Sequence, residues 1–165
     1  MNMHVQGRAW IFGDNIDTDL IVPGQYLASP LEETVKHAFE AIDPDFAKEV
    51  KPGDVIVAGS NFGCGSSREN APQVIKHLGV GCILAESFAR IFFRNAIAIG
   101  LPTLTINSIS GKIKRLDMID ISLENGEVYL AARGEKFMAD PLPQKMYEII
   151  EAGGIDGLLK NIAKR

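Results

Sequence analysis

Three short apolar segments separated by helical patterns constrain the fold of this chain more than any other feature. They are VIVAG (55–59), CILAES (82–87) and TLTI (103–106). Apolar runs of this length are typical of strands buried on both faces of a parallel sheet. The intervening residues 67–78 and 88–100 have helical patterns, each ending close to a glycine. Strands and helices in this order predict a parallel sheet joined by right-handed crossovers.

The chain before this core is less regular. The segment RAWIF (8–12) predicts a further strand. Residues 13–27 are rich in Asp, Gly and Pro, which predicts mostly loop. Residues 31–40 place Leu31, Val35, Ala38 and Phe39 on one side of a helix, and we predict a helix there.

The chain after the core predicts an antiparallel addition. The runs MIDISL and EVYLAA flank Asn125-Gly126, and Asn-Gly between such runs is a strong hairpin signal. From DPLPQKMYEIIEAGG onward the pattern is helical, with a break at Gly153-Gly154. We therefore predict one α/β domain over residues 1–165, with a parallel core sheet, an antiparallel hairpin and C-terminal helices.

Composition narrows the class of protein. The 165 residues are 46% hydrophobic and 23% charged, as in ordinary globular proteins. The net charge is −4, and no basic run is interleaved with aromatic residues, which disfavours nucleic-acid binding. No apolar stretch approaches the ~20 residues that span a bilayer, and no signal peptide is visible. We expect a cytoplasmic protein without a membrane segment.

The two cysteines limit which cofactors the chain can hold. Cys64 and Cys82 do not have a zinc-site spacing, and a reducing compartment disfavours a disulfide. An iron–sulfur cluster usually takes about four cysteines. We therefore expect this chain to bind no metal or cofactor, and any cluster to come from another chain.

The segment NFGCGSSREN (61–70) follows a predicted strand and opens a predicted helix. Ligands of open α/β sheets bind at the carboxyl ends of strands, and helix N-termini favour anions. The segment lacks the lysine of a phosphate loop and the third glycine of a dinucleotide fingerprint. Ser66 or Ser67 is placed to cap the helix, so a turn with a capping serine remains open. Arg68 offers a planar fork that suits a carboxylate.

Three motifs together carry a family resemblance. GSNFGCGSSRENAP, ILAESFARIFFRNAIAIGLP and the upstream FGDNIDTDLIVPGQYL resemble the small subunits of the isopropylmalate isomerases, within the aconitase family. The resemblance implies a swivelling β/β/α domain and a separate large subunit that carries a 4Fe-4S cluster. It also implies reversible dehydration and rehydration of a 2-hydroxy diacid, with the cluster iron as the Lewis acid.

The resemblance also assigns roles to individual residues. Ser66 would be the base that removes the proton alpha to a carboxylate, with its alkoxide favoured by the helix start and by Arg68. Ser67 and Arg68 would hold a substrate carboxylate. Asp19 matches an acidic position near the active site of the family, although an Asx-type cap in a polar loop is an equal alternative.

Substrate choice in the family depends on the loop after Tyr26-Leu27. Homoaconitases have an arginine immediately after Tyr-Leu, whereas this chain has Ala28. An apolar wall favours 3-isopropylmalate over homocitrate or citrate. Citramalate or a dimethylmalate remains open, because the usual residue at this position is larger. A non-enzymatic anion-binding module, a scaffold protein and self-association in isolation are further alternatives.

The remaining candidates have structural interpretations. Arg90 and Arg94 share a helix face, and they either line the site or pair with acids such as Glu86. We favour the structural role. Cys64 is interpreted as a small packing residue. The three histidines have no metal-site spacing and are interpreted as non-catalytic: His4, His37 and His77.

Overall fold

The structure, a computed structural model, describes residues 3–165. Within this range seven strands form one mixed sheet. Their bounds are β1 His4–Ile11, β2 Val55–Ala58, β3 Cys82–Ala85, β4 Thr103–Thr105, β5 Met118–Ser122, β6 Glu127–Leu130 and β7 Glu135–Met138. Their order across the sheet is β4-β3-β2-β1-β5-β6-β7.

The first four strands form the parallel half that the apolar runs predict. β1 pairs with β2 through Trp10 opposite Ile56, and β2 pairs with β3 through Ile56 opposite Ile83. β3 pairs in parallel with β4. The parallel core is therefore confirmed, and the carboxyl ends of these strands lie at one edge of the sheet.

The other strands form an antiparallel half that is larger than predicted. β5 and β6 make the expected hairpin, and β5 pairs with the first part of β1, from His4 opposite Ser122 to Arg8 opposite Met118. β1 therefore begins at His4, before the predicted strand at 8–12. β7 was not predicted, because Glu135–Met138 is short and half charged, as edge strands commonly are.

Seven α-helices accompany the sheet among the described residues. Their bounds are α1 Thr18–Ile21, α2 Leu31–Thr34, α3 Phe46–Glu49, α4 Asn70–His77, α5 Arg90–Ala98, α6 Gln144–Glu151 and α7 Ile155–Ala163. α4 and α5 are the crossovers between parallel strands. The C-terminal helices are confirmed, and they separate at Gly153-Gly154 as the sequence indicates.

The helix predicted over residues 31–40 is correct only for its first four residues. A 3-10 turn follows at Val35–His37, and Phe39 has a φ of 59°. That conformation ends the helix, and it lets the fully buried Phe39 ring pack 4.6 Å from Phe12 and 4.9 Å from Phe46. Tertiary packing therefore overrides the helical pattern.

The core consists of two apolar clusters, one on each face of the sheet. Alternate strand residues point to opposite faces. Trp10, Ile56 and Ile83 join Val74 and Ile75 of α4 on one face. On the other face, apolar strand residues pack against Tyr147 and Ile150 of α6. These strand residues are Ala9, Val55, Val57, Leu84 and Leu104. The sheet is thus covered by helices on both sides.

A buried carboxylate lies at the amino end of β2. The Asp54 side chain is 4% exposed and accepts hydrogen bonds from the Arg8 guanidinium at 2.8 Å and the Trp10 indole at 2.9 Å. The Lys51 amide donates to it at 2.8 Å. Burial alone would raise the pKa of Asp54, but these hydrogen bonds hold it below its ordinary value. Asp54 therefore fastens β1 to the turn before β2.

No helix within residues 3–165 has both the length and the apolar character needed to cross a bilayer.

Candidate active site

The loop that follows β2 lies between the end of that strand and α5. Phe62 forms a parallel bridge with Phe88, which precedes α5. Gly63 has a φ of 81°, and a Cβ atom there would lie 2.2 Å from the Phe92 ring. Only glycine lets the backbone approach α5 this closely. The local sequence therefore places the loop at the carboxyl edge of the parallel strands, as predicted for a ligand site.

The residues after β1 run parallel to this loop. The Asn15 backbone amide donates to the Ser60 carbonyl at 2.8 Å, and the Gly63 amide donates to the Ile16 carbonyl at 2.7 Å. The Thr18 amide donates to the Cys64 carbonyl at 2.9 Å. Two motifs that are separate in sequence therefore form one layer of backbone at the site.

Ser66 lies directly against Thr18. The Thr18 hydroxyl donates to the Ser66 carbonyl at 3.0 Å and lies 3.3 Å from the Ser66 hydroxyl. Thr18 is 3% exposed, whereas Ser66 is exposed. Nothing in the sequence marks Thr18 beyond its place between the two aspartates of DTD, so pattern analysis missed it.

Arg68 is held by the segment after β1. Its guanidinium forms an ion pair with Asp19 and donates to the Val22 carbonyl at 3.2 Å. Asp19 is not the cap of the polar loop. The Asp17 carboxylate caps α1 by accepting from the Leu20 amide at 2.8 Å. The interpretation of Asp19 as a cap is therefore wrong, and its contact is with another predicted site residue.

The predicted cap of the following helix is also wrong. α4 begins at Asn70, its N-cap residue is Glu69, and no side chain makes the capping hydrogen bond. Residues 66–69 precede the helix, and within this stretch the Ser66 carbonyl accepts from Thr18 and Arg68 pairs with Asp19. Ser66 and Ser67 thus remain exposed in an irregular stretch, free of a capping role.

A cavity of about 350 Å³ opens at this place. Its lining includes Ser66, Ser67 and Arg68 from the loop, and Arg90 and Arg94 from α5. The volume is within the range of small-molecule sites. Three arginines around two hydroxyl groups suit a small anion with more than one carboxylate.

Arg90 and Arg94 do not have the acidic partner that the sequence suggested. Glu86 instead accepts a hydrogen bond from the Ser110 amide at 3.0 Å. That bond lowers the pKa of Glu86 below its ordinary value. Within residues 3–165 neither arginine makes an ion pair, and both are exposed at the cavity. The pairing with Glu86 is therefore wrong.

Ala28 is exposed and does not line the cavity. Its segment is organised locally, because the Thr34 hydroxyl donates to the Tyr26 carbonyl at 3.1 Å and the Tyr26 ring stacks on His37 at 3.7 Å. The structure therefore places Ser66, Ser67 and Arg68 together, with Asp19 behind Arg68, and leaves Ala28 outside the cavity of this chain.

Among the described residues, the cysteines and histidines do not gather into a metal site. Burial and the negative charge of Asp17 raise the pKa of the Cys64 thiol, which disfavours a nucleophilic thiolate. Burial also raises the pKa of Cys82 on β3. His4 pairs with Asp120 at 2.9 Å, and His37 pairs with Glu40 at 2.8 Å. Over the described range 3–165, no three His, Cys, Asp or Glu side chains gather where a metal ion could bind.

Comparison with known proteins defines the family. Residues 12–109 match the family described as the aconitase C-terminal domain. The isopropylmalate/citramalate isomerase small subunit of Methanocaldococcus jannaschii is 49% identical over 97% of this chain and 96% of that protein. The 3-isopropylmalate dehydratase small subunit of Halothermothrix orenii is 50% identical over 93% of each.

A solved structure has the same architecture over nearly the whole chain. The crystal structure of 3-isopropylmalate dehydratase from Methanocaldococcus jannaschii gives a TM-score of 0.91 at 43% identity, covering 98% of this chain and 96% of that one. The class is thus the aconitase-type α/β domain, as the sequence motifs indicate. The chain belongs to the aconitase C-terminal domain family, in the branch formed by the 3-isopropylmalate dehydratase small subunits.

Proposed function

We propose that this chain is the small subunit of a 3-isopropylmalate dehydratase. Such a hydro-lyase interconverts 2-isopropylmalate and 3-isopropylmalate by removing water and adding it back, a step of leucine biosynthesis. The observation that carries the proposal is the arginine-lined cavity that gathers Ser66, Ser67 and Arg68 at the carboxyl edge of the sheet. The names of relatives about half identical to this chain support it.

Ser66 is the proposed base. In the dehydration direction its Oγ enters as an alkoxide and accepts the proton from the carbon alpha to a carboxylate. The same oxygen returns that proton during rehydration. The exposure of Ser66 at the cavity supports this role, because its hydroxyl is accessible and caps no helix.

Arg68 and Ser67 are proposed to bind one substrate carboxylate. An arginine has five N–H donors, and contacts with Asp19 and Val22 leave several of them for a ligand. Asp19 then acts by fixing the orientation of the Arg68 fork. The second carboxylate of the diacid can be bound by Arg90 and Arg94, which carry positive charge without an ion-pair partner in residues 3–165.

The residues of this chain do not fit an iron–sulfur cluster. Such a cluster usually takes about four cysteines. Cys82 is fully buried on β3, and Cys64 is the only other cysteine. We therefore assign the 4Fe-4S cluster to a large subunit, in keeping with relatives named small subunits, and derive no step of this chain's chemistry from it.

The substrate is proposed to be a malate with an apolar substituent. Ala28 gives no charge to the segment after Tyr26-Leu27 and is proposed to face the variable end of the substrate in the assembled enzyme. Citramalate is the second candidate. One of the relatives is named an isopropylmalate/citramalate isomerase, and a small residue at 28 is compatible with either substituent.

Co-expression with the large subunit, followed by anaerobic cluster reconstitution, tests the proposal. The complex is assayed with 3-isopropylmalate, citramalate, a dimethylmalate and homocitrate, and the purified chain alone is the control. We expect activity on the first substrate and none from the chain alone. Activity from the isolated chain, or a wild-type preference for homocitrate, would contradict the proposal.

Ala28→Arg tests the assignment of specificity. An arginine would provide a partner for a third carboxylate, which is otherwise desolvated and unpaired at a cost of several kcal/mol. We expect the activity ratio of homocitrate to 3-isopropylmalate to rise in the complex. An unchanged ratio would place specificity on the large subunit.

A further inference from the structure

Within residues 3–165, Thr18 is the one buried hydroxyl that contacts Ser66. Its Oγ1 lies 3.0 Å from the Ser66 carbonyl oxygen and 3.3 Å from the Ser66 Oγ. Thr18 itself is 3% exposed and sits in the wall of the cavity. Thr18 therefore contacts the proposed base from the protein interior, opposite the side of Ser66 that is open to solvent.

A threonine hydroxyl has one proton and two lone pairs. While Ser66 is neutral, the shorter contact favours donation to the Ser66 carbonyl, and the Ser66 hydroxyl can donate to a Thr18 lone pair. A negatively charged oxygen accepts a much stronger hydrogen bond than a neutral carbonyl. Rotation about the Thr18 C–O bond is then enough to redirect the proton, without movement of any heavier atom.

We infer that Thr18 is a positioning residue for Ser66, whose hydroxyl donates to the Ser66 carbonyl in the neutral state and to the Ser66 Oγ when that oxygen is an alkoxide. The inference rests on the proposed role of Ser66. Thr18 keeps its proton throughout, and the proton that Ser66 exchanges is the one taken from the substrate. Because Ser66 is exposed, water can hydrogen-bond to the carbonyl that Thr18 leaves.

The groups expected from the sequence to stabilise the alkoxide are placed differently. Within residues 3–165 the Arg68 guanidinium contacts Asp19 and Val22 and makes no hydrogen bond to Ser66, and α4 begins at Asn70, four residues after the serine. Within residues 3–165, the Ser66 side chain is therefore hydrogen-bonded directly by the Thr18 hydroxyl.

The backbone holds Thr18 and Ser66 in this arrangement. The Thr18 amide donates to the Cys64 carbonyl at 2.9 Å, which fixes the start of α1 on the loop. Gly65 then turns the chain with a φ of 92°, and a Cβ atom there would lie 3.5 Å from the Thr18 Oγ1. A left-handed residue between Cys64 and Ser66 brings the serine back over the threonine.

Turnover of the reconstituted complex provides the first test. Thr18→Val removes the hydroxyl at nearly constant shape, and Thr18→Ser retains it. We expect Thr18→Val to lower kcat about 10- to 100-fold, the effect of one hydrogen bond to a charged group. KM should be nearly unchanged, and the primary deuterium isotope effect on the abstracted proton should rise. Thr18→Ser should restore kcat.

Thr103→Val is the matched control. Thr103 is fully buried on β4, and its hydroxyl has no hydrogen-bond partner in residues 3–165. Removing that hydroxyl should leave kcat and the isotope effect unchanged. An equal loss of kcat in both variants would indicate general damage by a buried Thr→Val change and overturn the inference.

A thiol at position 66 gives a readout that does not need turnover. Ser66→Cys is made in a Cys64→Ala background, and the rate of iodoacetamide alkylation at position 66 is followed against pH by peptide mass spectrometry. Donation from Thr18 stabilises the thiolate, so adding Thr18→Val should raise the thiol pKa by about one unit or more. Adding Thr18→Ser instead should leave the pKa low.

The neighbouring charges are constant in this comparison. They are Asp17 and Asp19 on the Thr18 segment, Arg68 in the loop, and Arg90 and Arg94 on α5. A shifted thiol pKa in a complex without isomerase activity would sink the proposed function but support the contact between Thr18 and residue 66. An active complex with an unshifted thiol pKa and an unchanged kcat in Thr18→Val would overturn the role of Thr18 alone.

Discussion

The polar groups near the two ends of β2 differ in whether the chain itself satisfies their hydrogen bonds. At the amino end the Asp54 carboxylate is buried, and five hydrogen bonds from Arg8, Trp10 and Lys51 satisfy it. At the carboxyl end Ser66 and Ser67 are exposed, and Arg90 and Arg94 have no ion-pair partner in residues 3–165. The first set is complete within the chain, whereas the second leaves donors for another molecule.

This difference separates a structural role from a functional one. A buried carboxylate needs its partners to offset the loss of water, so removing any of them destabilises the fold. Exposed groups around a cavity contribute little to folding, but they are available for a substrate. Variants at the amino end should therefore change stability, and variants at the carboxyl end should change activity.

Ser66→Ala should produce the largest effect. In the reconstituted complex we expect turnover to fall by roughly 10²- to 10⁴-fold, the usual loss when a general base is removed. The free energy of unfolding of the chain should stay within about 0.5 kcal/mol, because Ser66 is exposed and caps no helix. The control is Ser110→Ala, an exposed serine outside the cavity. Near-normal turnover of Ser66→Ala would remove Ser66 from the chemistry.

Asp54→Ala should show the opposite behaviour. We expect a loss of about 3 kcal/mol in the free energy of unfolding, measured with urea, since the Trp10 indole and the Arg8 guanidinium lose a buried partner. Asp120→Ala is the control, because Asp120 makes an exposed pair with His4 and should contribute at most about 1 kcal/mol. Equal losses in the two variants would contradict the contrast in burial.

Arg68→Lys should weaken substrate binding. Lysine keeps the charge but loses the planar fork, so we expect KM to rise about 10- to 100-fold, corresponding to about 1.5–3 kcal/mol. Arg165→Lys at the exposed C-terminus is the control. If KM and kcat both remain at wild-type values, Arg68 lies outside the substrate site and its ion pair with Asp19 is structural.

The smallest expected effect is the pH dependence of the Asp54 contribution. The pKa of Asp54 is lower in the folded chain than its ordinary value, so folding favours the ionised form. Its contribution is fully present above about pH 4 and is lost as pH falls through the folded pKa. The difference in unfolding free energy between wild type and Asp54→Ala should therefore shrink below that pH. A constant difference from pH 7 to pH 3 would exclude a charge-based contribution.

Apolar runs predicted the parallel strands and crossovers because short apolar runs separated by helical patterns are typical of strands buried on both faces of a parallel sheet. The Asn125-Gly126 turn likewise predicted the hairpin between β5 and β6. The pattern could not show β7, whose pairing is made by backbone groups that any sequence has. Nor could it show the end of the helix near Phe39, because the left-handed backbone there accompanies ring contacts with residues distant in sequence, such as Phe12.

The site was predictable as a set of motifs but not as a set of contacts. Glycines and arginines marked the loop, and family resemblance marked Ser66. The pairing of Arg68 with Asp19 and the contact of Thr18 with Ser66 depend on how β1 and β2 align. That alignment is a property of the sheet and leaves no local signal in the sequence. Thr18 and the start of α4 were missed for this reason.

The parallel layer formed by the two segments has a nearly constant offset in sequence. Asp14 meets Ser60, Asn15 meets Asn61, and Val22 meets Arg68, each 46 positions apart. Of these three contacts, the one between Asn15 and Asn61 joins two side chains, so related genes should vary in a coupled way at that pair. A deletion in either segment would shift all three contacts and should be tolerated only with a matching change in the other. A chimera that exchanges one segment for another of different length would lose this register, so the two segments are best exchanged as a pair.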